Sequence, residues 1–386
     1  MNNRKLLMIP GPIEFEPAVL RAMGKATSSH VAPNFIETFG NCLDLMKDLW
    51  KAPNGQPFIV AGSGTLAMDM AIANLIEQGE NALVISTGYF GNRFEDILKS
   101  YGANVTMISA SIGETVLLSE IENELKNKNY KLITITHVDT STGVLVNPEP
   151  IAKLANKYNT LSILDGVCSV GAEENEQEKW GIDIVLTGSQ KAIGVPPGLA
   201  LLVASQKAIN SWKNRKTPVQ NYYSNWKNWL PIMEAYTQRK PSYFGTPAVN
   251  LIEALEVSLK IIHAEGINNR IQRHIKYANA FRKAIEAIGL KTICKSNHIA
   301  ANTLSAIYYP KQINGSEFLK QVSSYGVIVA GGLHPEIKER YFRVGHMGSI
   351  NASDMISTLS AIEYALSKTG YHFTTGKSLE IFQNLI

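Results

Sequence analysis

Cysteine is nearly absent from this chain of 386 residues. Cys42, Cys168 and Cys294 stand far apart and form no CxxC pair. That usage excludes a disulfide framework and a cysteine-built zinc site, and it fits a reducing compartment. Histidines at metal-ligand spacing are missing too: His263 and His274 lie eleven residues apart, His334 and His346 twelve. No metal is expected. There is no Lys/Arg run, and the net charge of +4 is dispersed along the chain, so no nucleic-acid partner is expected. No apolar run could span a membrane, and the apolar part of the opening MNNRKLLMIPGP is too short for a secretory signal. The closing FQNLI is not a peroxisomal address. These absences lead to the expectation of a cytoplasmic protein with no membrane partner.

What is plentiful is short β-branched apolar runs. Seven fall in the first 205 residues, at about 58–61, 82–87, 105–109, 132–138, 161–165, 184–187 and 199–204. Most alternate with helix-like segments, the pattern of an α/β chain whose mostly parallel sheet is covered on both faces. Helices are predicted over about 66–77, after a Gly-Ser-Gly-Thr turn, and over 92–101, stopping at Gly102. A third is predicted from Ser119, with a Ser-x-x-Glu capping box closed by Glu122. Only 191–198 separates the last two runs, too short for a crossover, so they are antiparallel neighbours or unpaired. Beyond 206 the pattern turns irregular, and Trp212, Tyr222, Tyr223, Trp226 and Trp229 read as aromatics packing loops onto the sheet. An amphipathic helix follows, with Ile252, Leu255, Leu259 and Ile262 on one face, and ends before Gly266. The remainder, 267–386, alternates helix and strand as a smaller α+β unit beside a large unit over 19–266.

Chemistry gathers at the ends of these runs. LSILD delivers Asp165, and the next run, DIVLTGSQK, delivers Lys191 twenty-six residues later. A lysine at a strand end among small residues suits a Schiff base with a carbonyl cofactor. An aspartate on the neighbouring strand end can keep a pyridine nitrogen protonated. These are the two residues that pyridoxal 5′-phosphate (PLP) requires. Asp165 would be costly to bury without a cationic partner, and Lys191 in the same surroundings sheds its charge readily.

The Gly62-Ser63-Gly64-Thr65 turn opens a helix, where backbone N–H groups and the positive dipole end suit a phosphate. GSGTLA also fits the looser dinucleotide pattern G-x-G-x-x-A. The next strand, however, ends Ile85-Ser86-Thr87-Gly88 without the carboxylate that would hold a ribose. A plain tight turn is the remaining alternative. Tyr89-Phe90 could stack on a flat ring or pack in the core. Hydroxyls in 136–142 could meet a phenolic oxygen or cap the helix near Pro148, and His137 reads as structural before it reads as a base. Arg343, in YFRVG, offers a guanidinium fork to a carboxylate, the alternative being a surface salt bridge.

Seven segments in order, GSGT, TGYFGNRF, HVDTSTGV, DGVCSVG, GSQKAIGVPPG, SYFGTP and YFRVGHMG, resemble the class V aminotransferases. The similarity is nearest to the alanine–glyoxylate (serine–pyruvate) aminotransferase group and runs from Pro10-Gly11-Pro12 to about Ser349. It implies the type I PLP-transferase fold, a homodimer with shared active sites, and ping-pong transfer of an amino group from alanine or serine to glyoxylate or pyruvate. It also implies residue roles. Lys191 is the Schiff-base lysine and Asp165 the pyridinium partner, while Phe90 stacks on the ring and Val167 lies beneath it. Ser141, with Thr140 as the second choice, faces the phenolic oxygen. Gly64, Thr65 and Gln190 hold the phosphate, Thr65 standing where other members have His. Tyr243 and Thr246 reach the partner subunit's phosphate, Arg343 clamps the substrate carboxylate, and an N-terminal arm over 1–18, with Gly11, lines the pocket.

Three rivals share the scaffold. A cysteine desulfurase needs a mobile cysteine before the Arg343 strand, and none lies between Ser323 and Arg343. Phosphoserine or aminoethylphosphonate transaminases need further cations, for which Arg239 and Lys240 are the candidates. A non-enzymatic relative would be expected to lose Lys191 or Asp165, and both are present.

Overall fold

All seven β-branched runs become strands of one sheet. The computed structural model describes residues 4–386. A short strand β1 (Leu6–Leu7) and helices α1 (Pro17–Met23) and α2 (Pro33–Trp50) precede β2 (Gln56–Ala61). Then come α3 (Gly64–Leu75), β3 (Asn81–Ser86), α4 (Tyr89–Ser100), β4 (Asn104–Ser109), α5 (Leu118–Asn127) and β5 (Leu132–Thr136). A hairpin of β6 (Val138–Asp139) and β7 (Val144–Leu145) leads to α6 (Pro148–Lys157) and β8 (Leu161–Asp165). The sheet is completed by α7 (Gln177–Trp180), β9 (Ile184–Gly188) and β10 (Leu199–Ala204), with strand order β2-β10-β9-β8-β5-β3-β4.

Only β10 runs against its neighbours, β2 and β9, so the last two apolar runs are antiparallel neighbours. The other six strands share one direction and bring Ala61, Ser86, Thr136, Asp165 and Gly188 to one edge. In open α/β sheets, that carboxyl edge is where ligands bind.

Three local expectations differ from the fold. Helix α4 begins at Tyr89 rather than Asn92, because its cap comes from a distant residue: Asp139 accepts from the N–H groups of Phe90 and Gly91. The capping box at Ser119 does not form. Helix α5 starts at Leu118 with no side-chain cap, and Glu122 instead takes the ammonium of Lys157. The stretch beyond 206 is partly helical, holding α8 (Gln206–Lys213) and α9 (Trp226–Thr237), while 214–225 with Tyr222 and Tyr223 is looped as expected. Asn225 caps α9, and Trp226, Trp229, Leu230 and Met233 form a buried stripe at helical spacing, with Trp226 stacked on Phe58 of β2.

Helix α10 (Val249–Glu265) buries Ile252, Leu255, Leu259 and Ile262 against the large core, and α11 (Ile267–Ala287) follows after Gly266. The remaining elements are β11 (Leu304–Tyr308), α12 (Gly315–Ser324), β12 (Val327–Ile328), β13 (Ala330–Gly331), β14 (Tyr341–Gly345), α13 (Ala352–Lys368) and α14 (Lys377–Leu385). They enclose a second apolar core around Phe281, Phe318 and Phe342. We propose the change of core at Gly266 as the domain boundary. The N-terminal arm joins the second core: β1 pairs with β12, Met8 is buried there, and Gly345 N–H donates to the Met8 carbonyl.

One side chain ties the pieces together. Buried Arg270, on the first turn of α11, donates to the Glu265 carboxylate and to the carbonyls of Gly171 and Ala192. These two carbonyls belong to the turns that follow Asp165 and Lys191. Replacing Arg270 with Ala leaves both carbonyls unpaired, while Glu265 keeps Arg273, so we expect a loss of about 3 kcal/mol in a urea melt of the cofactor-free chain. A change below about 1 kcal/mol would show that the tie carries no weight.

Candidate active site

The carboxyl edge of the sheet opens into a cavity of about 140 Å³. Its walls include Gly11, Gly64, Thr65, Phe90, Asp165, Val167, Gln190 and Lys191, so eight of the expected site residues converge there. They come from the arm, the start of α3, the start of α4, the end of β8 and the turn after β9.

Asp165 is the last residue of β8, and its Oδ1 accepts the Val167 N–H at 2.9 Å. Burial pushes its carboxyl up from 3.8 to about 6, against that hydrogen bond and the nearby Lys191 ammonium. Lys191 stands three residues past β9 and is buried as well. Its pKa is pulled down, first by burial and also by the Arg343 guanidinium, with Cys168 and Asp165 acting the other way. The Lys191 ammonium donates to the Pro10 carbonyl of the arm. Gly11 beside it has φ +98°, and a Cβ there would sit 2.7 Å from Lys191 Nζ, so only glycine fits this close approach.

At the opposite wall, α3 starts at Gly64 with free N–H groups. A Cβ on Gly64 would stand 2.8 Å from Val167 Cγ2, so the bare backbone leaves a cradle between the helix start and Val167. The amide oxygen of Gln190 is buried without a donor among the described residues. A ring nitrogen for Asp165, an aldehyde for Lys191 and a phosphate for the α3 start match what these groups lack, so the site fits PLP.

The turn after β6 separates two adjacent hydroxyls. Ser141, the first choice for facing a phenolic oxygen, lies behind the wall: its Oγ donates to Asp139 at 2.6 Å and accepts from Tyr89 N–H at 3.0 Å. Thr140 is the residue that lines the cavity. This turn is held from the far core, since the Tyr341 hydroxyl donates to the Ser141 carbonyl and Arg343 Nη1 to that of Thr140. Arg343 also donates through Nε to the Gly331 carbonyl, which fixes its fork just outside the cavity wall. Tyr243 and Thr246 do not reach this cavity; Tyr243 is exposed beside the ring of His30. His137 packs edge-on to Trp180 and is held neutral by burial, at about 4.

Sequence reading passed over Asp139 and Arg93. Asp139 accepts four hydrogen bonds, from Phe90 N, Gly91 N, Ser141 N and Ser141 Oγ, and so sets where Phe90 begins its helix. Arg93 lines the cavity one turn after Phe90; the i, i+3 spacing within TGYFGNRF was the available signal. The reactive cysteine that a desulfurase requires is not found among the described residues. Cys294 is pushed up to about 12 by burial, and burial raises Cys168 as well, so both stay thiols. Arg239 is engaged by Asp44 and Glu37.

Asp165 gives this site a pH signature. Its raised pKa means that the folded, cofactor-free chain binds this proton more tightly than the unfolded chain does. The associated stability is therefore present below about pH 4 and lost as pH rises through about 6. Asp165→Asn should match the parent near pH 4 and exceed it by about 3 kcal/mol above pH 6.5 in the cofactor-free state. Urea melts across that range test this, and a pH-independent difference would contradict it.

Residues 18–359 match the family described as Aminotransferase class-V. The chain is 39% identical to alanine–glyoxylate aminotransferase 1 of Saccharomyces cerevisiae over 89% of this chain and 91% of that protein. It is 30% identical to a serine–glyoxylate aminotransferase of Arabidopsis thaliana, covering 97% and 94%. Its fold superposes on the solved structure of an alanine–glyoxylate aminotransferase from Nostoc sp. with a TM-score of 0.89, at 31% identity and covering 94% and 95% of the two chains. The seven-stranded sheet, with a cavity holding a strand-end aspartate and a following lysine, is the type I PLP-transferase fold, and the chain belongs to the class V aminotransferase family.

Proposed function

We propose that the protein is a PLP-dependent aminotransferase that moves an amino group from alanine or serine to glyoxylate by a ping-pong route. The observation that carries this reading is one cavity holding Asp165, Lys191 and the free start of α3. When bound, PLP supplies a ring that takes up negative charge from the substrate Cα.

The remaining work belongs to the chain. Asp165 accepts the ring N–H, which turns the cost of its burial into a charge-assisted hydrogen bond. Phe90 would cover one face of the ring and Val167 the other. Gly64, Thr65 and Gln190 donate to the phosphate, with Tyr243 and Thr246 of the partner subunit completing that site in a homodimer. Thr140, in place of Ser141, offers its hydroxyl to the phenolic oxygen. Lys191 holds the cofactor between turnovers. Its amine would carry the proton to and from the substrate Cα, a task helped by a pKa drawn down by burial. Arg343, its fork already aligned by two carbonyls, takes the carboxylate of each substrate. Gly11 and the arm narrow the pocket toward small side chains.

Transfer from alanine and from serine to glyoxylate, followed as loss of glyoxylate, tests the reading. Both donors should turn over, and Lys191→Ala should reduce the rate by about a thousandfold or more. Parent-like turnover in that variant would remove Lys191 from the mechanism. Arg343→Lys keeps the charge but not the fork, so it should raise KM for the donor by about tenfold with a smaller effect on kcat. An unchanged KM would take Arg343 out of the substrate site.

A further inference from the structure

The cavity contains a cation that the reaction outlined above does not use. Arg93 sits on α4 one turn after Phe90 and lines the cavity beside Ser63, Gly64 and Thr65. Its Nη1 donates to Thr65 Oγ1 at 2.9 Å, and its guanidinium carbon lies 4.8 Å from the Phe90 ring centre. Among the described residues it has no carboxylate partner, and no protein acceptor engages its Nε or Nη2.

The charges around the cavity point to what it awaits. The charged residues lining the cavity are Arg93, Asp165 and Lys191. With PLP in place, Asp165 faces the ring nitrogen and Lys191 is joined to the aldehyde. The phosphate is then left as a dianion whose other proposed contacts, Gly64, Thr65, Gln190, Tyr243 and Thr246, are all neutral. A helix start contributes roughly half a charge, which leaves most of the dianion unbalanced. Arg93 stands at that helix start with donors free, and a planar guanidinium suits phosphate oxygens.

We propose that Arg93 supplies the positive charge that holds the phosphate of the cofactor. The assignment rests on the PLP reading of this site. It separates two effects, since the charge acts only on a cofactor that carries a phosphate, whereas support of Phe90 acts on any pyridoxal ring.

The test is a visible-absorbance titration of the cofactor-free full-length protein with PLP and, separately, with pyridoxal, which lacks the phosphate. Arg93→Gln should weaken PLP binding about tenfold or more, and less so in high salt. It should leave pyridoxal binding within about twofold, and Arg93→Lys should recover most of the PLP affinity. Thermal melts of the cofactor-free variants should stay close to the parent, because Arg93 is partly exposed. Equal losses for PLP and pyridoxal would overturn the phosphate assignment and leave Arg93 as a support for Phe90. Unchanged PLP binding in Arg93→Gln would overturn the whole proposal. A parent protein that takes up neither compound would instead overturn the PLP reading on which the assignment rests.

Discussion

The structure depends on the cost of keeping two ionisable side chains, Asp165 and Lys191, out of water at the same sheet edge. Neither has a full protein partner. Asp165 accepts one backbone N–H, and Lys191 donates to one carbonyl of the arm. Burial accordingly drives both toward their neutral forms, the carboxyl up to about 6 and the ammonium down. A fold does not retain such a pair for its own stability, since an apolar pair of similar volume would serve better. The retained cost makes sense as preparation for a guest that brings a ring N–H to one residue and a carbonyl carbon to the other.

Much of the remaining architecture holds those two residues in register. The parallel pairing of β8 with β9 fixes their strand ends side by side. Arg270 grips the turns that follow both, from the first turn of the second unit. The arm crosses from β12 to the Lys191 turn and presents Pro10 and Gly11 there. Tyr341 and Arg343 hold the Thr140–Ser141 turn from the far side. The site is thus assembled from both units and the arm, and the small unit contributes even where its residues do not line the cavity.

The sheet was legible because period and strand length carry its signal. Short, mostly apolar runs such as LSILD and LALLVA admit little besides buried strands, and Asp165 and Lys191 follow from where such runs end. What stayed hidden depends on contacts distant in sequence. The cap of α4 is Asp139, some fifty residues away, so nothing near Tyr89 in the sequence marks the helix start. Helix α9 is hidden in the sequence by the Pro231 inside it and by tryptophans that read as scattered aromatics. Thr140 and Ser141 are adjacent hydroxyls in a tight turn, and only the network around Asp139 decides which of them faces the cavity. Arg93 was present in a motif already singled out, but its meaning depends on Thr65 and Phe90 lying around it.

The central claim is that Lys191 is the residue joined to the cofactor. Loading the full chain with PLP, reducing it with borohydride to fix any lysine–aldehyde linkage, and locating the added mass by peptide mass spectrometry tests it most directly. The account predicts a single labelled peptide carrying Lys191, and no label there once the protein has been converted by alanine before reduction. Label on another lysine, or no label after PLP loading, would contradict it.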